Sequence, residues 1–151
     1  MYIFGILRIQ ASGGVMSAVN KAIVRRFNQK VIENCDRHEF EVLVAQDFIN
    51  HSAAAGQDGG REGLWHTFHN VLHPGLSDLQ VEVLDQVAED DKVTTRKRIT
   101  GRHSGVIAGI QATGREVSID IIDIVRIRNG QYVEHWGVNS LPSVLAALRS
   151  G

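Results

Sequence analysis

A chain of 151 residues has the length of one ordinary domain, and 43% hydrophobic with 22% charged residues is a globular mix that excludes wholesale disorder. Sixteen basic against seventeen acidic side chains leave a formal charge of −1 with no massed basic block, so neither nucleic acid nor an anionic membrane is an expected partner. The single cysteine, Cys35, excludes an internal disulfide and a multi-cysteine metal site, and it fits a reducing, cytoplasmic location.

Residues 1–15 carry an apolar run (Tyr2, Ile3, Phe4, Ile6, Leu7 and Ile9), shorter than the roughly 20 residues that cross a bilayer. It has neither the basic flank nor the small-residue cleavage site of a signal peptide, and reads as an N-terminal extension: an edge strand, a docking segment, or a lead-in ahead of Met16. Residues 16–151 form one domain. Ser17 is the expected N-cap of a first helix in which Val19, Ile23, Phe27 and Val31 recur every four residues. The pattern breaks over 34–38, and a second short helix runs through Phe40, Val42, Leu43 and Val44. Residues 47–60, with alanines and three glycines, read as irregular. A third helix fits 61–72, with Leu64, Phe68, Val71 and Leu72 on one face and Pro74-Gly75 ending it.

The second half changes period. Leu79, Val81 and Val83 alternate with polar residues as a strand, Glu89-Asp90-Asp91 is a turn, and 92–100 is a second strand. Residues 116–128 are a third, with Val117, Ile119, Ile121, Asp123, Val125 and Ile127 on one face. Asn129-Gly130 signals a tight hairpin into a fourth strand over 131–138. On that strand, alternation puts Tyr132, Glu134, Trp136 and Val138 on one face and Val133, His135, Gly137 and Asn139 on the other. Pro142 opens a last short helix. Helices followed by an antiparallel meander give an α+β class, a curved antiparallel sheet wrapped around N-terminal helices with a cavity between them.

Phosphate-loop, Ser-His-Asp and dinucleotide signatures are absent. Of the seven histidines, His66, His69 and His73 share a helix face, a spacing that suits a metal but equally a solvated surface. Asp123, placed among isoleucines facing an apolar cavity, is expected to have its pKa raised by burial toward a useful acid/base value; the alternative is a carboxylate satisfied by a backbone or arginine partner. His103, within Gly101-Arg102-His103-Ser104-Gly105, sits either at the cavity mouth or as the cap of a bulge.

In order along the chain, Asp47-Phe48-Ile49-Asn50-His51, Gly60 and Gly63 with Phe68, Glu89-Asp90-Asp91-Lys92-Val93 with Arg96, the run from Gly101 to Gly105 with Ala112-Thr113-Gly114-Arg115, and Asn129-Gly130 through Glu134-His135-Trp136 resemble the SnoaL-like cyclases of the nuclear transport factor 2-like superfamily. The resemblance implies a cone-shaped α+β barrel with a hydrophobic pocket, dimeric through its sheet. It also implies an aspartate and a histidine that promote aldol closure of a polyketide ester without metal or organic cofactor. At the family's aspartate place this chain has Gly137, and at the family's histidine place it has Asp123; the pocket asparagine is kept as Asn50. The catalytic candidates are therefore Asp123 as base with His103 or His135 as acid or oxyanion partner, and the substrate-binding candidates are Asn50, His51, Phe68, Glu134, Trp136 and Asn139. Two functions follow: a cyclase-, isomerase- or hydrolase-type acid/base enzyme acting on a small apolar carbonyl compound, or a non-catalytic ligand-binding module that has lost the cyclase aspartate.

Overall fold

The computed structural model describes residues 13–151. Helix α1 (Gly13–Phe27) starts earlier than Ser17, whose hydroxyl lies inside the helix and donates to the Ala88 carbonyl at 3.4 Å instead of capping. Residues 1–12 of the expected extension lie outside the described residues. The helix continues as a wider π turn (Asn28–Glu33), closed by the Asn34 N–H on the Gln29 carbonyl, and the extra backbone per turn brings Phe27, Val31 and Ile32 all to the interior. Asp36 caps the short α2 (Arg37–Leu43) by accepting the Glu39 N–H at 3.1 Å.

Immediately after α2 comes a strand that the hydrophobic pattern does not announce, β1 (Val44–Asn50). The 47–60 segment is therefore irregular only from His51 onward, and Val44 belongs to the strand, not the helix. Helix α3 (Arg61–His66) runs into a second π turn (Thr67–Leu72) that seats Phe68 and Leu72 in the core, and the single turn α4 (His73–Gly75) follows. Strands β2 (Leu76–Glu89), β3 (Lys92–His103), β4 (Glu116–Arg128) and β5 (Gln131–Asn139) form the expected antiparallel meander, and α5 (Leu141–Arg149) closes the chain. Asn129 and Gly130 both have positive φ, 51° and 75°, as the hairpin signal requires.

The sheet order is β1-β5-β4-β3-β2, curved and open at both edges. It is mixed, not wholly antiparallel, because β1 pairs with β5 in parallel. Along β3 and β4 the odd-numbered residues face the helices, so Val93, Ile99, Ile119, Val125 and Ile127 join Phe27, Phe40 and Phe48 in one core. Lys97 and Asp123 fall on that same inward face.

On β5 strict alternation fails. Tyr132 pairs with Ile127 and Glu134 with Arg126, so Val133 is an extra residue in a β-bulge. The bulge reverses the parity: Tyr132 joins His135, Gly137 and Asn139 at the cavity, while Glu134 and Trp136 turn to the other face.

Candidate active site

Between the sheet and the α1, α3 helices lies a cavity of about 750 Å³, walled largely by apolar side chains such as Phe27, Phe48, Phe68, Leu72, Ile99 and Ile119. One wall is different. There β3, β4 and β5 bring together Lys97, Asp123 and His135, with Asn50 from β1 beside them.

Lys97 Nζ lies 2.9 Å from Asp123 Oδ2, and the two side chains are only 5% and 4% exposed. His135 Nε2 approaches the same oxygen at 3.5 Å. Burial pushes the Asp123 carboxyl up, but the adjacent Lys97 ammonium and the His135 ring outweigh it and hold the pKa at about 2. The raised pKa expected of Asp123 is thus overturned: the partner is a buried lysine, and the group is a fixed anion, not a base poised near neutrality.

The histidine is oriented from its other side. Asn50 Oδ1 accepts the Ser52 N–H at 3.0 Å, which fixes that atom as the oxygen, and it stands 2.9 Å from His135 Nδ1. The hydrogen therefore lies on Nδ1, and in the neutral ring the Nε2 lone pair points into the site. Asn50 reaches His135 because the two are register partners across the parallel β1–β5 pair. The chain beyond β1 is laced to β5 by the His51 N–H on the His135 carbonyl and the Gly137 N–H on Ser52 Oγ.

Gly137 is the register partner of Asp123. A Cβ at Gly137 would stand 3.0 and 3.1 Å from Cε1 and Nε2 of His135 and 3.2 Å from Asp123 Cβ. The missing side chain is what leaves room for the His135 ring beside the carboxylate. The carboxylate of this wall is thus carried by β4, directly opposite Gly137 on β5.

Five of the nine candidates from the sequence line the cavity: Asp123, His135, Asn50, Phe68 and Asn139. The other four do not. His103 is fully buried; Thr113 N–H donates to its Nδ1 at 3.3 Å, which leaves the hydrogen on Nε2, sealed in the interior without a partner. It ties the loop after β3 to the strand. His51 stacks on Trp136 with ring centroids 4.8 Å apart and bonds Glu134 at 2.9 Å, a cluster on the opposite face of the sheet from the cavity. The His51 hydrogen bond and Arg126 keep the Glu134 carboxyl below the usual range. Of the three helical histidines, His66 borders the cavity, His69 stacks on Trp65, and His73 donates to the Ile32 carbonyl at 2.7 Å. Among the described residues no group of three or more His, Cys, Asp or Glu is arranged to hold a metal ion.

Two wall residues were missed by the sequence reading, Lys97 and Tyr132. Lys97 was detectable, because it shares parity with Val93 and Ile99 on a strand whose odd residues are apolar. Tyr132 was not, because the bulge that turns it inward has no signature in the sequence.

Comparison with known proteins bears on the fold and the family. No curated protein matches the sequence. Among solved structures, the chain is similar to TsrD from Streptomyces laurentii, at 25% identity and a TM-score of 0.76, covering 87% of this chain and 95% of that one. It is similar to a candidate SnoaL-like polyketide cyclase from Jannaschia sp. CCS1, at 25% identity and a TM-score of 0.76 over 89% and 94% of the two chains. It also resembles IdmH, a candidate polyketide cyclase from Streptomyces antibioticus, at 25% identity and a TM-score of 0.74 over 86% and 98%. The sequence profile of the SnoaL-like polyketide cyclases matches residues 22–148, which span every element from α1 to α5 that builds the cavity, and the chain belongs to that family.

Proposed function

We propose that this protein is a cofactor-independent acid/base enzyme that removes a proton beside the carbonyl of a small, largely apolar compound. The observation that carries the reading is the orientation of His135, with Nδ1 held by Asn50 and Nε2 turned into an apolar cavity next to Asp123 Oδ2. In the neutral ring Nε2 is the proton acceptor. Once it takes the substrate proton, the ring has Asp123 Oδ2 beside Nε2 and Asn50 Oδ1 beside Nδ1, an oxygen acceptor for each N–H. Lys97, on the same carboxylate oxygen, places positive charge where the enolate oxygen develops. Return of the proton to a different carbon gives an isomerase, and attack of the enolate on a second carbonyl gives a cyclase.

The test is exchange of the α-protons of 2-acetonaphthone in D2O, followed by NMR. The folded protein is expected to accelerate exchange, and His135→Gln is expected to slow it by about 10²- to 10⁴-fold, the range of a positioned general base. Equal rates in the two proteins would remove His135 from the mechanism. Gly137, at the family's aspartate place, favours a second reading as a non-catalytic binding module. On that reading the ketone raises the melting temperature but its protons do not exchange.

The cytoplasmic location goes with the one free thiol of Cys35; among the described residues no helix is long and apolar enough to cross a membrane. A homodimer through the sheet is part of the same proposal. Ile122 and Val138 are cross-strand partners on the outer face, 49% and 71% exposed, with Ile124 beside them. Sedimentation should give a dimer that Ile122→Lys converts to monomer; a monomeric wild type would end this part of the reading.

A further inference from the structure

We infer that Tyr132 is the hydrogen-bond donor that binds the carbonyl oxygen of the ligand inside the cavity. The inference rests on the acid/base reading above and assigns the oxygen end of that site.

Among the described residues, four side-chain polar atoms are sealed in the interior without a partner: Asn28 Oδ1, Gln86 Oε1, His103 Nε2 and Asp123 Oδ1. Tyr132 Oη is not one of them, although the residue is 97% buried and its hydroxyl makes no hydrogen bond among the described residues. Tyr132 lines the cavity, and its hydroxyl is the one donor that this side chain can offer there.

The donor is held rigidly. The bulge at Val133 fixes the backbone, and the ring stacks on Phe27 with centroids 4.2 Å apart and planes 24° from parallel. Burial first, and then the Asp123 charge, push the phenol well above its usual pKa, so it stays protonated and donates. Neither Asp123, an anion that would repel a carbonyl oxygen, nor His135 Nε2, which presents a lone pair, can donate to it; Lys97 Nζ, already on Asp123 Oδ2, is the other donor of this wall. Lys97 Nζ and Tyr132 Oη are then the donors toward the developing enolate, and His135 is the acceptor for the proton.

The probe is 2-acetonaphthone carrying ¹³C at its carbonyl, bound to the wild type and to Tyr132→Phe, which keeps the stack on Phe27. The bound carbonyl is expected to stretch at a lower infrared frequency in the wild type than in Tyr132→Phe, with both proteins melting at similar temperatures. Where exchange is measurable, Tyr132→Phe should lower its kcat by about 10²-fold, the loss of one oxyanion donor, with KM little changed. An identical stretch in both proteins, or no binding of the ketone, would overturn the assignment. A frequency shift without any exchange would leave Tyr132 in place and remove the acid/base reading instead.

Discussion

Replacing Lys97 with methionine should destabilise the protein by about 3–5 kcal/mol at neutral pH, the cost of leaving one partner of a buried ion pair uncompensated. Methionine fills nearly the same volume, so the loss is not a cavity effect. The penalty falls on Asp123, whose carboxylate would keep its burial and lose the ammonium that offsets it. The pH dependence should change with it. In the wild type Asp123 titrates at about 2 in the fold, below its ordinary 3.8, so the folded state holds the proton more weakly than the unfolded one. The resulting stability, about 2 kcal/mol, is complete above pH 4 and is lost as the pH falls from there through 2. In Lys97→Met burial is opposed by His135 alone, so the downward shift shrinks and lowering the pH should cost less stability than in the wild type. Removing both charges, in Lys97→Met with Asp123→Leu, should return the fold to within about 1–2 kcal/mol of wild type. Urea unfolding between pH 3 and 8 reads all three proteins. A loss below about 1 kcal/mol in Lys97→Met would mean that the pair is solvated and not the buried unit described above.

Much of this site was legible in the sequence where local pattern controls structure. The parity of Val117, Ile119, Val125 and Ile127 placed Asp123 on the inward face, and Asn129-Gly130 fixed the hairpin that sets it against Gly137. What was lost depended on distant or irregular pairing. Strand β1 is defined by residues such as Tyr132 and His135, far along the chain, and its first residues, Val44 and Ala45, continue the apolar end of α2 without a break. With β1 unseen, the link from Asn50 to His135 was unseen too. A single extra residue, Val133, inverted the face of Tyr132. Lys97 was passed over for a different reason: a lysine on a strand is usually solvated, and only the depth of the sheet's inner face makes this one exceptional.

Asp123→Asn is expected to lower α-proton exchange by about 10²- to 10⁴-fold, because the amide no longer supplies a countercharge to the imidazolium that forms on His135. Taken alone, that loss has two causes. The structure puts the Lys97 ammonium, 5% exposed, against this carboxylate. Asparagine strands that cation, and the variant should be destabilised by about 3–5 kcal/mol as well. The double variant Lys97→Met with Asp123→Leu separates the effects, since it restores stability without restoring an anion. If exchange stays low in the refolded double variant, the carboxylate acts on the chemistry through His135. If exchange returns with stability, Asp123 serves only to neutralise Lys97, and His135 works as a base without it. Gly137→Ala offers an independent measure of the same geometry: its new Cβ would press on the His135 ring and the Asp123 Cβ without touching either charge. A displacement of a few tenths of an ångström in the base should lower exchange by about tenfold while leaving the urea midpoint nearly unmoved.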